Sequence, residues 1–201
     1  MLLRNRIATA LAVLFTLMVC TAASSAADKR DKKATTILGE TNARGGLVVH
    51  VGCGDGELTA ALQRGTDNLV HGLDTDMSQV QQARQHLSTE ALYGDASVAH
   101  WSGEALPYAE NFVDLLVVED AEKLSEKEMM RVLAPGGIAY IKKEDGWLKR
   151  RKKWPADIDE WTHYLHDASN NAVAQDSRVK PVRHMQWKGK PKWSRSHEYN
   201  S

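Results

Sequence analysis

The chain has 201 residues, enough for one cored domain and a smaller appendage, with 26 basic and 26 acidic residues giving no formal net charge. That balance excludes the clustered positive charge of a nucleic-acid-binding protein, since only Lys149-Arg-Arg-Lys-Lys153 is locally basic and it reads as a solvated linker. Two cysteines, Cys20 and Cys53, exclude a disulfide framework. In chain order, Met1–Arg6 is short and basic, Ile7–Cys20 is almost wholly apolar, and Ser24-Ser-Ala-Ala27 supplies small residues before Asp28. This is the pattern of a cleavable secretory signal over residues 1–27, and its apolar stretch is shorter than the roughly 20 residues that span a bilayer. It implies export to the periplasm or beyond, with no permanent membrane span. Cleavage removes Cys20, and losing Arg4 and Arg6 leaves the mature chain slightly acidic. Residues 28–36, charged and poor in large apolar side chains, read as a flexible linker.

The main domain is expected over 37–146. Val48, Val49 and Val51 around His50 suit a buried parallel strand, and Gly52, Gly54 and Gly56 follow it without Cβ atoms to block a ligand. A helical pattern restarts at Glu57-Leu-Thr-Ala-Ala-Leu62, so free N–H groups at its start would face a ligand lying over the loop. A dinucleotide fingerprint needs its third glycine where the chain has Glu57, which argues against NAD. Cys53 reads as a small buried hydrophobe rather than a catalytic thiol, and no Ser-His-Asp or Cys-His constellation is evident. A second strand, Val70–Asp74, ends in an acid, with Asp76 as the runner-up acid, and Met77–Leu87 continues as a helix. Gly103-Glu-Ala-Leu-Pro-Tyr108 is a loop, Phe112–Val118 a further strand, and Met129–Ile141 a helix, a Pro-Gly-Gly turn and a fifth strand.

These four motifs, in this order, resemble the class I S-adenosylmethionine-dependent methyltransferases. The resemblance runs from about Ile37 to Lys143 and implies an α/β Rossmann-like fold with a mostly parallel sheet. It implies S-adenosylmethionine as cofactor and methyl transfer to an acceptor that the sequence does not name. It places Gly52, Cys53, Gly54 and Gly56 at the methionine end, Asp74 on the ribose hydroxyls, and Glu104 with Ala105 at the adenine. Many members carry an acid two residues before the first glycine; here that residue is His50, whose neutral ring offers no fixed negative charge to an ammonium. Glu119, after the fourth strand, is the candidate to lie beside the transferred methyl, with a solvated acidic loop as the alternative reading.

From Trp147 to Ser201 the composition changes, since this tail holds every tryptophan except Trp101. No antiparallel pair is evident after Lys142, so the sheet is expected to stop at about five strands, followed by an irregular Trp-rich tail; the edge strand would then invite pairing or need that tail as a lid. Pro155–Asp167 is expected to form a short helix carrying Ile158, Trp161 and Leu165 on one face. His163, His166 and Asp167 share helical spacing and are weak candidates for metal ligation, with hydrogen-bonded structural histidines as the favoured alternative. His184 and His197 lie too far along the chain to complete a recognisable ligand set. The run Trp154–Ser169, with Arg183–Trp187 and Trp193–Glu198, resembles large exported bacterial proteins that join a methyltransferase-like region to a pyrroloquinoline-quinone-type β-propeller. That resemblance implies a second reading, a non-catalytic exported module docking on a propeller. No blade repeat is present to support quinone binding by this segment.

Overall fold

The computed structural model describes residues 28–120, 122 and 124–177. The signal-like segment 1–27, the linker-distal histidines His184 and His197, and the motifs around Trp187 and Trp193 lie outside the described residues. Two compact units divide at Trp154 and Pro155.

In the first unit, helix α1 (28–41) precedes β1 (Gly45–Val51), α2 (Glu57–Gln63), β2 (Asp67–Asp74), α3 (Met77–Thr89) and β3 (Ala96–His100). Then come β4 (Val113–Val118), α4 (Glu126–Val132), β5 (Leu133–Lys143) and β6 (Gly146–Arg151). The six strands lie in the order β3-β2-β1-β4-β5-β6. All neighbouring pairs are parallel except β5 with β6. This is the α/β Rossmann-like methyltransferase architecture that the sequence implies.

Successive residues of a strand point to opposite faces, so a strand covered on both sides must be apolar throughout. In β1, Val48 faces a layer that contains Ile37, Leu62, Leu87 and Leu115, whereas Val49 and Val51 join Leu73, Leu116, Met129 and Val132 on the other side. Each of these side chains is buried, and each face is a separate apolar core. The strand order reverses between β1 and β4, which leaves a crevice at their carboxyl ends where ligands of open α/β sheets bind.

Three local expectations change. Residues 28–36 are not a linker but the first part of α1, because Ala34, Ile37 and Thr41 recur at helical spacing and are buried. The surrounding lysines and aspartates, including the Lys32–Asp28 pair one turn apart, hid that stripe. The sheet continues past Lys142: Glu144 and Asp145 turn the chain, and β6 pairs antiparallel with β5 from Lys143↔Gly146 to Ile138↔Arg151. Its basic residues, which read as a linker, are the charged side chains that keep an outer strand from pairing with another molecule. Trp147 on β6 stacks on Tyr140 of β5, with ring centroids 5.0 Å apart.

In the second unit, Pro155–Asp167 forms turns rather than a helix. Asp159 explains this: one carboxylate accepts from the amides of Glu160 (2.9 Å) and Gln175 (2.7 Å) and pairs with His166 (2.6 Å). Short polar side chains that capture backbone amides in this way compete with the helical ladder. His166 is buried, and its φ of 66° closes a tight turn whose backbone bonds join Thr162 and His163 to the His166 carbonyl. His163 bonds to the Thr162 hydroxyl at 2.8 Å instead of converging with His166 and Asp167 on a common point. Among the described residues no group of three or more His, Cys, Asp or Glu is placed to hold a metal, and no helix is long and apolar enough to cross a membrane.

Candidate functional site

The site lies at the carboxyl ends of β1, β2 and β4. As β1 ends, the amides of Gly52 (2.8 Å) and Cys53 (3.2 Å) both donate to the Leu73 carbonyl of β2, which folds the glycine loop over the neighbouring strand. Asp74, the last residue of β2, then fixes that loop. Its Oδ2 accepts from the Gly54 amide at 2.9 Å and its Oδ1 from the Asp76 amide at 3.0 Å. Asp76 is occupied differently: it caps α3, accepting from the Ser78 amide at 2.8 Å and hydroxyl at 2.7 Å. Of the two acids, Asp74 is therefore the one that holds the loop and faces a cavity.

The three loop glycines do different things. At Gly52 (φ 77°) an added Cβ would touch Asp120 at 3.4 Å, whereas at Gly54 (φ 52°) its nearest neighbour would be Gln79 Oε1 at 3.8 Å, so neither position is closed by a clash. Gly56 (φ 80°) faces α3, and a Cβ there would lie 2.7 Å from Ala83 Cβ. It is a close-packing glycine between helices, not part of a ligand cradle. Helix α2 has only seven residues, and its first amide, that of Glu57, is accepted by Asp55 Oδ1 at 3.1 Å. Cys53 is buried against Gly72 of β2, a residue whose missing side chain leaves room for the sulfur. Burial, with Asp74 nearby, pushes its thiol pKa up to about 12, so it stays protonated and unreactive at neutral pH.

Two cavities flank the loop. One, of about 330 Å³, is bordered by Gly52, Asp74, Thr75, Trp101, Glu119 and Lys142. The other, of about 490 Å³, is bordered by His50, Gly52, Gly54, Glu119 and, from α1, Arg30 and Lys33. Both fall in the size range of small-molecule sites. Glu104 is exposed, and the Ala105 carbonyl accepts from Trp101 Nε1 at 3.0 Å, which seats the Trp101 ring beside Asp74, whose carbonyl accepts the Trp101 amide at 2.8 Å.

Glu119 sits where the two cavities meet. Lys33 Nζ donates to its Oε1 at 2.6 Å, Lys142 Nζ lies 3.4 Å from Oε2, and His50 Nε2 stands 3.7 Å from Oε1, beyond hydrogen-bond reach. Burial pushes the Glu119 carboxyl up, but the adjacent His50 ring and Lys33 ammonium more than offset it, holding it well below the usual carboxylate range. A depressed folded-state pKa stabilises the fold above the unfolded value of 4.5 and loses that contribution as pH falls below it. Glu119→Gln is therefore expected to flatten the acid limb of a stability profile below about pH 4.5 while leaving the neutral limb parallel to wild type. Urea melts between pH 3 and 7 measure this, and an unchanged acid slope would contradict it.

Arg30, Lys33, Trp101 and Lys142 were not legible as site residues. Trp101 directly follows β3 and Lys142 is the penultimate residue of β5, positions at strand ends that could have flagged them. Arg30 and Lys33 carried no signal, because α1 reaches the loop from far away in sequence.

A methyltransferase-domain family model matches residues 48–137, the span from β1 to the start of β5. The C-methyltransferase UbiE of ubiquinone/menaquinone biosynthesis from Yersinia pestis bv. Antiqua (strain Antiqua) is 33% identical over 106 residues, 49% of this chain and 42% of that protein. The corresponding protein of Yersinia enterocolitica is 32% identical over 143 residues, 67% of this chain and 56% of that protein. Over residues 48–137 this chain is thus similar to S-adenosylmethionine-dependent methyltransferase domains. It spans about half the length of the curated relatives it matches. Among solved structures, the methyltransferase domain is similar to the [4+2]-cyclase SpnF, with a TM-score of 0.51 and 25% identity over 55% of this chain and 43% of that one. Geranyl diphosphate C-methyltransferase from Streptomyces coelicolor A3(2), solved with S-adenosyl-L-homocysteine, has the same fold, at a TM-score of 0.51, 16% identity, and 55% and 44% coverage. A cyclase and a C-methyltransferase on one fold show that the reaction belongs to the site and not to the architecture.

Proposed function

We propose that this chain binds S-adenosylmethionine across the glycine loop and transfers its methyl group to an acceptor held at the β4 end of the crevice. The observation that carries this reading is Asp74: one carboxylate fixes the Gly52–Gly54 loop and borders the cavity at the point where the strand order reverses. Each carboxylate oxygen has a second lone pair, which suits it to accept from ribose hydroxyls. Trp101 offers an apolar ring beside it, and the backbone at Gly52 and Gly54 is open to close approach. When bound, the cofactor supplies an electrophilic methyl on a sulfonium, so the protein's task is mainly to align that methyl with a nucleophile. Glu119, held ionised by its neighbours, is a weak base. We assign it to binding rather than to deprotonating the acceptor.

The Yersinia relatives are C-methyltransferases by name, which makes a carbon nucleophile the first acceptor class to assay. Calorimetric titration of S-adenosylmethionine into the full chain tests the cofactor reading. Micromolar affinity, about −8 kcal/mol, is expected; no heat from a sample shown to be folded by circular dichroism would overturn it.

A further inference from the structure

The segment 101–112, which joins β3 to β4, forms neither helix nor strand, yet it begins with Trp101, whose ring borders the cavity beside Asp74. The ring is fixed by its Nε1, which donates to the Ala105 carbonyl at 3.0 Å. That carbonyl and the Leu106 N–H belong to one planar peptide unit, so whatever orients the amide also orients the acceptor of the indole. Glu128 on α4 does so, because its Oε1 accepts from the Leu106 amide at 2.7 Å. Arg131, three residues further along α4, holds both oxygens of that carboxylate through Nε at 2.8 Å and Nη2 at 2.7 Å. The same guanidinium donates to the Leu106 carbonyl at 3.0 Å and to the Tyr108 carbonyl at 2.8 Å. Its planar fork of donors is what allows one side chain to grip a carboxylate and two carbonyls at once.

We propose that Glu128 and Arg131 are positioning residues for the cofactor site: through the Ala105–Leu106 peptide they hold the Trp101 indole in place for the nucleoside end of S-adenosylmethionine. The proposal rests on the cofactor reading above and adds to it two side chains that line neither of the two cavities. A segment without helix or strand must be ordered by its side-chain contacts, and a ring left mobile on it would have to be ordered by the ligand, at a loss of affinity. The Trp101 amide donates to the Asp74 carbonyl at 2.8 Å, so the ring is anchored at its backbone on β2 and at its Nε1 on the peptide that α4 holds. One anchor belongs to the acid assigned to the ribose, and the other couples the cavity wall to a helix outside the site.

The test titrates the full chain with S-adenosylmethionine and follows both heat and tryptophan emission, with Trp101→Phe identifying the part of the emission change that belongs to Trp101. Arg131→Lys keeps a positive charge beside Glu128, but a single ammonium cannot span the carboxylate and both carbonyls. It is expected to weaken S-adenosylmethionine about tenfold, the cost of ordering a loop side chain on binding, and to reduce the Trp101 emission change at saturation. In Trp101→Phe, where the Nε1 link is gone, adding Arg131→Lys is expected to cost less than about twofold more. Glu128→Gln keeps an acceptor for the Leu106 amide and loses the charge, so it should give a smaller loss with the same dependence on Trp101, and it decides the matter if Arg131→Lys does not fold. Equal losses with and without Trp101, or wild-type affinity and emission in the folded variants, would overturn the assignment, because a pair that only stabilises the fold does not act through the indole. If wild type does not bind S-adenosylmethionine, the cofactor reading fails and this assignment with it. Binding that depends on Asp74 but not on Arg131 or Glu128 removes the positioning pair alone.

Discussion

Asp74→Ala is expected to reduce S-adenosylmethionine affinity about 100-fold or more, the largest loss of any single substitution at this site. Two effects combine. If Asp74 accepts from the ribose hydroxyls as proposed, a charged acceptor worth about 1.5–3 kcal/mol disappears. The Gly54 amide, which donates to Asp74 Oδ2 at 2.9 Å, and the Asp76 amide, at 3.0 Å from Oδ1, also lose their acceptor. The loop that should lie preformed under the cofactor must then be ordered on binding, an extra entropic cost. Asp74→Asn separates the contributions. The amide oxygen can still accept from Gly54, while its NH₂ group confronts the Asp76 N–H, so an affinity between wild type and Asp74→Ala is expected. Calorimetry on the three proteins, with thermal melts to confirm that each is folded, measures this. Binding by Asp74→Ala within about twofold of wild type would remove Asp74 from the site.

The parts of this fold that were readable from sequence are those whose signal is local. β1, the glycine loop, β2 and α3 follow one another with their apolar runs and turn residues intact, and each appears where the pattern places it. What escaped was written in charges. Helix α1 carries its buried stripe under lysines and aspartates, and β6 is an edge strand whose basic residues serve solubility and hide its pairing. The site divides in the same way. Asp74 and the first two glycines are sequence-local features, so their placement was foreseeable. The environment of Glu119 was not, because its ammonium partner Lys33 is 86 residues away and its neighbour His50 lies on another strand. Pairings at that distance depend on register, which no local pattern encodes. The Pro155–Asp167 helix was misjudged for a related reason: apolar spacing suggested it, but Asp159 draws amides from both ends of a long segment and competes with a helix.

Gly56→Ala is expected to lower stability by about 2–5 kcal/mol, which is a large share of the 5–15 kcal/mol that holds a typical domain together. The new Cβ would lie 2.7 Å from Ala83 Cβ and 2.9 Å from Ala83 Cα, so the backbone of α3, and not a flexible side-chain tip, would have to move. Overpacking of that kind costs about 1–3 kcal/mol, and a φ of 80° adds roughly another 1–2 kcal/mol for an L-residue. Gly54→Ala provides the contrast. Its φ of 52° lies within the left-handed region, and its Cβ would meet nothing closer than Gln79 Oε1 at 3.8 Å. It should cost only about 1 kcal/mol of stability, yet it places a methyl group on the wall of the cavity that Gly54 borders, so cofactor affinity should fall while the fold persists. Urea unfolding and calorimetry on both variants separate the glycine that packs two helices from the glycine that admits a ligand. Equal stability losses in the two would show that Gly56 is not held against α3 as described.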